Sequence, residues 1–132
     1  MRGADPVREI RLLWVAIGGV LIGALSWLMT GMLSGSFEPF DSSLGWLINQ
    51  LILAIPAMWL AWFYRARVWL IFLLCTHMGL NVASYAFGSS EARAWFWLGA
   101  FTIVVFLFLP AVLAFGLTLF KAFQCKRSDA RF

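Results

Sequence analysis

The chain has 132 residues, of which 63% are hydrophobic and only 12% are charged, and its formal net charge is +4. An ordinary soluble domain carries about 25% charged residues, so the composition excludes such a domain, and the length leaves no room for a separate soluble module. The basic residues lie at the ends of apolar runs instead of in one patch, which indicates membrane topology and excludes a nucleic-acid partner.

Four apolar runs follow one another along the chain, at roughly 12–34, 44–64, 68–88 and 94–120. Each has the ~20 residues that an α-helix needs to cross a hydrocarbon core about 30 Å thick. None has the alternating pattern of a barrel strand, and in lipid a helix satisfies its own backbone groups. The sequence therefore predicts an all-α integral membrane protein, with one four-helix transmembrane domain spanning residues 1–132.

The first predicted helix carries small residues at helical spacing. Gly19 and Gly23 form a small-xxx-small pair, and Ser26 and Thr30 continue nearly the same face. Small side chains let a second helix approach closely, so these four residues form a candidate helix-packing face. The sequence leaves open whether that second helix belongs to this chain, to another copy or to a different membrane protein.

The connections between the predicted helices are short. Residues 35–43 form the longest of them, and the links near Arg65 and Ser89 span only a few residues. Such short links predict that successive helices are antiparallel neighbours in an up-down-up-down bundle. The fourth run is longer than a bilayer requires, so we expect that helix to tilt or protrude.

The third predicted helix has the most unusual polar content. His77, Asn81 and Ser84 are spaced four and three residues apart, which places them on one stripe. His77 is close to the middle of its span, where an ionisable residue is costly and faces protein or water. One interpretation is a proton-sensitive or ligand-binding group. The other, which we favour, is a neutral imidazole hydrogen-bonded to a neighbouring helix.

Polar residues of other helices are predicted at a similar depth. At ~1.5 Å of rise per residue, Asn49 and Gln50 lie level with the polar stripe of the third helix. The candidate polar intramembrane site comprises His77, Asn81, Ser84, Asn49 and Gln50. Two interpretations stay open, a crevice that is accessible from outside and interhelical hydrogen bonds, each of which contributes ~0.6 kcal/mol on average.

The basic residues predict the orientation of the chain. Nine of the ten Lys and Arg fall on one side of the predicted membrane, and Arg93 alone falls on the other, with Glu38, Asp41 and Glu91. Because short basic loops stay in the cytoplasm, we expect both termini to be cytoplasmic, in the inner membrane of a bacterium.

The sequence lacks the residues that catalytic and cofactor-dependent functions need. A single histidine excludes a bis-histidine haem, and Cys75 and His77 are two positions apart, hence on different helix faces, so a zinc site would lack ligands. The sequence has no paired carboxylates, nucleophile–base pair or phosphate-binding glycine loop. We therefore expect no enzymatic activity, cofactor or metal.

In length and predicted topology, although not in any motif, the chain resembles small four-helix immunity proteins that protect bacteria against pore-forming toxins. The leading hypothesis is a non-catalytic protein that acts through lateral helix–helix contacts, either as such an immunity protein or as an accessory subunit of a membrane complex. Its partners would be the lipid bilayer and another membrane protein or a second copy of itself. The alternative is a small oligomeric transporter or channel that uses the polar site around His77 and Asn81.

Overall fold

The computed structural model describes residues 12–35, 38–94, 97–98 and 103–129. The helices are α1 (Leu12–Ser34), α2 (Ser43–Phe63), α3 (Ala66–Phe87), α4 (Ser90–Ala94) and α5 (Ile103–Asp129), with a 3-10 turn at Pro39–Asp41. Four of these helices are long and apolar enough to cross a membrane, with the span of α5 at Leu107–Lys126. The prediction of four long apolar helices is confirmed.

The helix ends follow from local chemistry. Gly35 ends α1 with a φ of 68°, a left-handed conformation that glycine adopts without strain. Ser42 caps α2, because its hydroxyl oxygen accepts a hydrogen bond of 3.0 Å from the backbone nitrogen of Gly45. Only Tyr64 and Arg65 separate α2 from α3, so the chain reverses direction there.

The largest difference from the predicted bounds is in the last helix, which was expected at 94–120. Residues 90–94 are helical as α4, and α5 continues past Phe120 to Asp129. Residues 95–96 and 99–102 of the predicted helix lie outside the described residues. The helix extends beyond the apolar run because Lys121, Ala122 and Gln124 are good helix formers, although they make the mean hydropathy of this segment lower. The N-terminal arginines at 2, 8 and 11 and Arg131 lie outside the described residues.

The principal contact of α1 is with α3 and not with α2, the helix that follows α1 in the sequence. Gly19 lies against Phe72 near one end of this pair, and Trp27 lies 6.3 Å from Phe87, between ring centroids, near the other. Residue numbers therefore rise in the same direction along both helices. The two helices are parallel.

The helices α2 and α5 form a second parallel pair. The side chain of Gln50 contacts Leu109, and farther along the pair Trp62 contacts Lys121. Around the bundle the order is α1, α3, α5, α2, with α2 and α3 also in contact across the middle. Among the described residues, α1 and α5 make little or no contact and occupy opposite corners.

Successive long helices are in contact, as the short links predict, but the closest packing is between α1 and α3 and between α2 and α5. The short links fix the direction of each helix, but they do not decide which helix packs most closely on which. That choice depends on side-chain size, and the closest packing occurs where glycines let two backbones touch.

The two ends of the bundle differ in charge. At the acidic end, defined by the connection 35–42 and residues 88–94, a carboxylate oxygen of Glu38 accepts a 2.7 Å hydrogen bond from the backbone nitrogen of Ser89. This contact ties the two connections together. The basic end is defined by residues 64–67 and by 121–126 of α5.

The outward faces of the long helices carry large apolar side chains. Leu21 and Leu25 of α1 are 58% and 54% exposed, and Phe115 of α5 is 55% exposed. Apolar patches of this extent are unusual on soluble proteins and are expected where lipid covers the surface. The structure thus agrees with a multi-pass membrane protein.

Candidate functional site: a buried layer of small and polar residues

Gly23 and Gly79 make the closest approach between α1 and α3. A Cβ atom built on Gly23 would lie 2.0 Å from the backbone oxygen of Thr76, and one built on Gly79 would lie 2.0 Å from the backbone oxygen of Val20. Both distances are far below van der Waals contact. Only glycine fits at these two positions unless the helices move apart.

The whole candidate helix-packing face is buried within the chain. Gly19, Gly23, Ser26 and Thr30 are all buried, and a Cβ on Gly19 would lie 2.9 Å from the carbonyl oxygen of Phe72. The helix that packs against the glycines is therefore α3 of the same molecule.

The partner glycine on α3, Gly79, was not singled out in the sequence. A signal for it exists, because Cys75, Gly79 and Ala83 repeat small residues every four positions along α3. That repeat is the counterpart of the Gly19–Gly23 pair. The buried face of α3 therefore has a small-residue stripe beside its polar stripe.

Ser26 and Asn49 connect α1 to α2. The Ser26 hydroxyl donates to the carbonyl oxygen of Gly23 at 2.8 Å and accepts from the Asn49 side-chain nitrogen at 3.0 Å. The side-chain oxygens of Asn49 and of Thr30 are buried without a hydrogen-bond partner among the described residues. Ser26, Asn49 and Thr30 have at most 1% of their surface exposed.

Gln50 connects α2 to α5. Its side chain is fully buried, and its side-chain oxygen accepts a hydrogen bond of 3.1 Å from the backbone nitrogen of Leu109. Pro110 follows immediately and lacks an N–H group, so the α-helical hydrogen-bond ladder is interrupted beside this contact. Gln50 thus supplies a polar partner next to the proline of α5.

His77 and Asn81 pair within α3. The Asn81 side-chain nitrogen donates to the backbone oxygen of His77 at 2.8 Å and lies 3.0 Å from its ring nitrogen Nε2. Both contacts are made within α3, between residues that are one helical turn apart. His77 is 5% exposed and Asn81 is 8% exposed.

Ser84, the third residue of the predicted stripe, is only half-buried. Its backbone oxygen accepts a hydrogen bond of 2.9 Å from the nitrogen of Gly88 at the end of α3. The stripe thus grows more exposed towards the acidic end, from His77 through Asn81 to Ser84.

Metal ligation was not expected from the sequence. In the part of the chain that the structure describes, no group of three or more His, Cys, Asp or Glu side chains is placed to hold a metal ion. Cys75 is half-buried, Cys125 is exposed, and both are free thiols.

Comparisons with protein-family models, with characterised proteins and with solved structures give no match for this chain.

Proposed function

We propose that this chain is a non-catalytic membrane protein that acts through lateral helix–helix contacts, as an immunity protein against a membrane-acting toxin or as an accessory subunit of a membrane complex. The observation that carries the proposal is the burial of the polar layer, in which Ser26, Thr30, Asn49 and Gln50 are at most 1% exposed. A transport path needs polar groups that line water. These groups serve helix packing instead.

The surface available to a partner lies on α5. In its most apolar window only 17% of α5 is buried, against 44% for α2 and for α3. Phe108, Val112, Phe115 and Leu119 recur at spacings of four, three and four residues, and all are exposed. This spacing forms one continuous stripe, which we call the α5 outer face, of the kind that pairs with another helix.

We place the basic end in the cytoplasm and the protein in the bacterial inner membrane, with both termini inside. Support comes from Arg65, Arg67, Lys121 and Lys126 at the basic end, compared with Arg93 and three carboxylates at the acidic end.

External labelling tests this orientation. In a variant that lacks Cys125, a membrane-impermeant thiol reagent added to intact cells is expected to label Glu91→Cys. It should label Arg65→Cys only after the cells are permeabilised, because that residue lies at the basic end. Labelling of Arg65→Cys in intact cells would refute the orientation.

Photo-crosslinking in the native membrane tests the lateral-contact proposal. A photoreactive amino acid at Val112 or Phe115 on the α5 outer face is expected to give a discrete protein adduct. The matched positions Leu21 and Leu25, equally apolar and exposed on α1, should give mainly lipid adducts.

Two results would contradict lateral contact as the function. One is the absence of any protein adduct from the α5 outer face. The other is a solute flux that disappears in His77→Gln and changes with external pH between about 5 and 8, the range in which histidine titrates. That second result would favour the transporter.

A further inference from the structure

Three exposed basic side chains, those of Arg65, Arg67 and Lys126, stand at the basic end. The carboxylates whose side chains are described, Glu38, Asp41 and Glu91, all belong to the acidic end. Among the side chains that the structure describes, no carboxylate lies at the basic end to balance its positive charge.

Lys121 brings the two parts of the basic end together. Its ammonium group donates to the backbone oxygens of Ala61, at 3.3 Å, and of Trp62, and it lies 6.0 Å from the centroid of the Trp62 ring. These oxygens are at the C-terminus of α2, the negative end of its helix dipole, where a cation is stabilised. Lys121 therefore stabilises the packing of α5 on α2, and it holds the following turn of α5 beside the α2–α3 connection.

Exposed aromatic side chains lie close along the chain to these basic residues. Trp62 and Phe63 are 44% and 50% exposed, and Phe123 is 66% exposed. Tryptophan marks the boundary between hydrocarbon and headgroups. Lys126 follows Phe123 by one helical turn on the same face, ~4.5 Å farther along the axis, which is the level of the lipid phosphates if Phe123 lies at that boundary.

We propose that Arg65, Arg67 and Lys126 form a binding surface for anionic phospholipid headgroups. A guanidinium group binds phosphate oxygens through bidentate hydrogen bonds, and an ammonium group on a flexible side chain adds a further positive charge. The apolar collar of Phe63 and Phe123 favours a phosphate that carries acyl chains over free phosphate. The inference requires that the chain lie in a bilayer, and it is independent of the lateral-contact function.

The test uses the full chain in vesicles of phosphatidylcholine mixed with phosphatidylglycerol. Quenching of tryptophan fluorescence by brominated phosphatidylglycerol, relative to brominated phosphatidylcholine, measures the preference for the anionic lipid. We expect the wild type to prefer phosphatidylglycerol. The triple variant Arg65→Gln, Arg67→Gln, Lys126→Gln should lose that preference, by about five-fold for each charge removed.

Arg93→Gln, which removes one charge at the acidic end, is the matched control and should keep the wild-type preference. Inorganic phosphate should not displace the brominated lipid. Circular dichroism and the thermal midpoint in pure phosphatidylcholine should be the same for the triple variant and the wild type. An unchanged preference in the triple variant, an equal loss in Arg93→Gln, or displacement by inorganic phosphate would each overturn the proposal.

Discussion

Replacing Gly23 with leucine is expected to destroy the native packing of α1 on α3. The first carbon of the new side chain would lie 2.0 Å from the backbone oxygen of Thr76. No rotation of a side chain relieves a clash between a Cβ atom and a backbone, so the helices must separate. Separation also breaks the reciprocal contact of Gly79 with Val20. We expect a destabilisation of more than about 3 kcal/mol, above the usual range for an overpacked core.

Gly18→Leu is the matched control for this prediction. It makes the same change of residue one position away from Gly19, but nothing lies within 4 Å of a Cβ built there. We expect its effect on stability to stay within about 0.5 kcal/mol, as for most surface substitutions.

Reversible unfolding of the purified protein in mixed micelles measures both effects. Gly79→Leu should resemble Gly23→Leu, because the same two backbones meet at both positions. Equal stability of Gly18→Leu and Gly23→Leu would show that α1 does not touch α3 through its glycines.

The helices could be predicted from the sequence because hydropathy and length are local properties. The burial of Gly19 and Gly23 also agrees with their spacing, but the identity of the facing helix does not follow from it. That identity depends on Gly79, which is small enough to receive the backbone of Val20. The short link at Tyr64 and Arg65 restricts the directions of α2 and α3, but it does not determine which helix packs most closely on either of them.

The depth of a polar residue follows from its number along a helix, so Asn49 and Gln50 could be assigned to the level of the polar stripe of α3. The hydrogen bond of 3.0 Å between Asn49 and Ser26 also depends on how each helix is rotated about its axis, which spacing alone does not give. The contact of Gln50 with the backbone of Leu109 could not be foreseen, because it requires the α2–α5 pair to be parallel and in this register.

Cysteines introduced into the buried layer are expected to be almost unreactive in the folded protein. Ser26 is 1% exposed and Thr30 is 0% exposed, and small thiol reagents modify only thiolates that water reaches. Ser26→Cys and Thr30→Cys conserve side-chain size closely enough to keep the packing. Ser90→Cys, at an exposed position of the acidic end, provides the matched reactive site.

The decisive measurement is the rate at which a small methanethiosulfonate reagent modifies these three cysteines, in a background with Cys75→Ala and Cys125→Ser. If the polar layer serves packing, Ser90→Cys reacts rapidly in the folded protein, whereas Ser26→Cys and Thr30→Cys react only after denaturation. If Ser26→Cys and Thr30→Cys react in the folded protein as fast as Ser90→Cys, the layer opens to water and the packing account is contradicted.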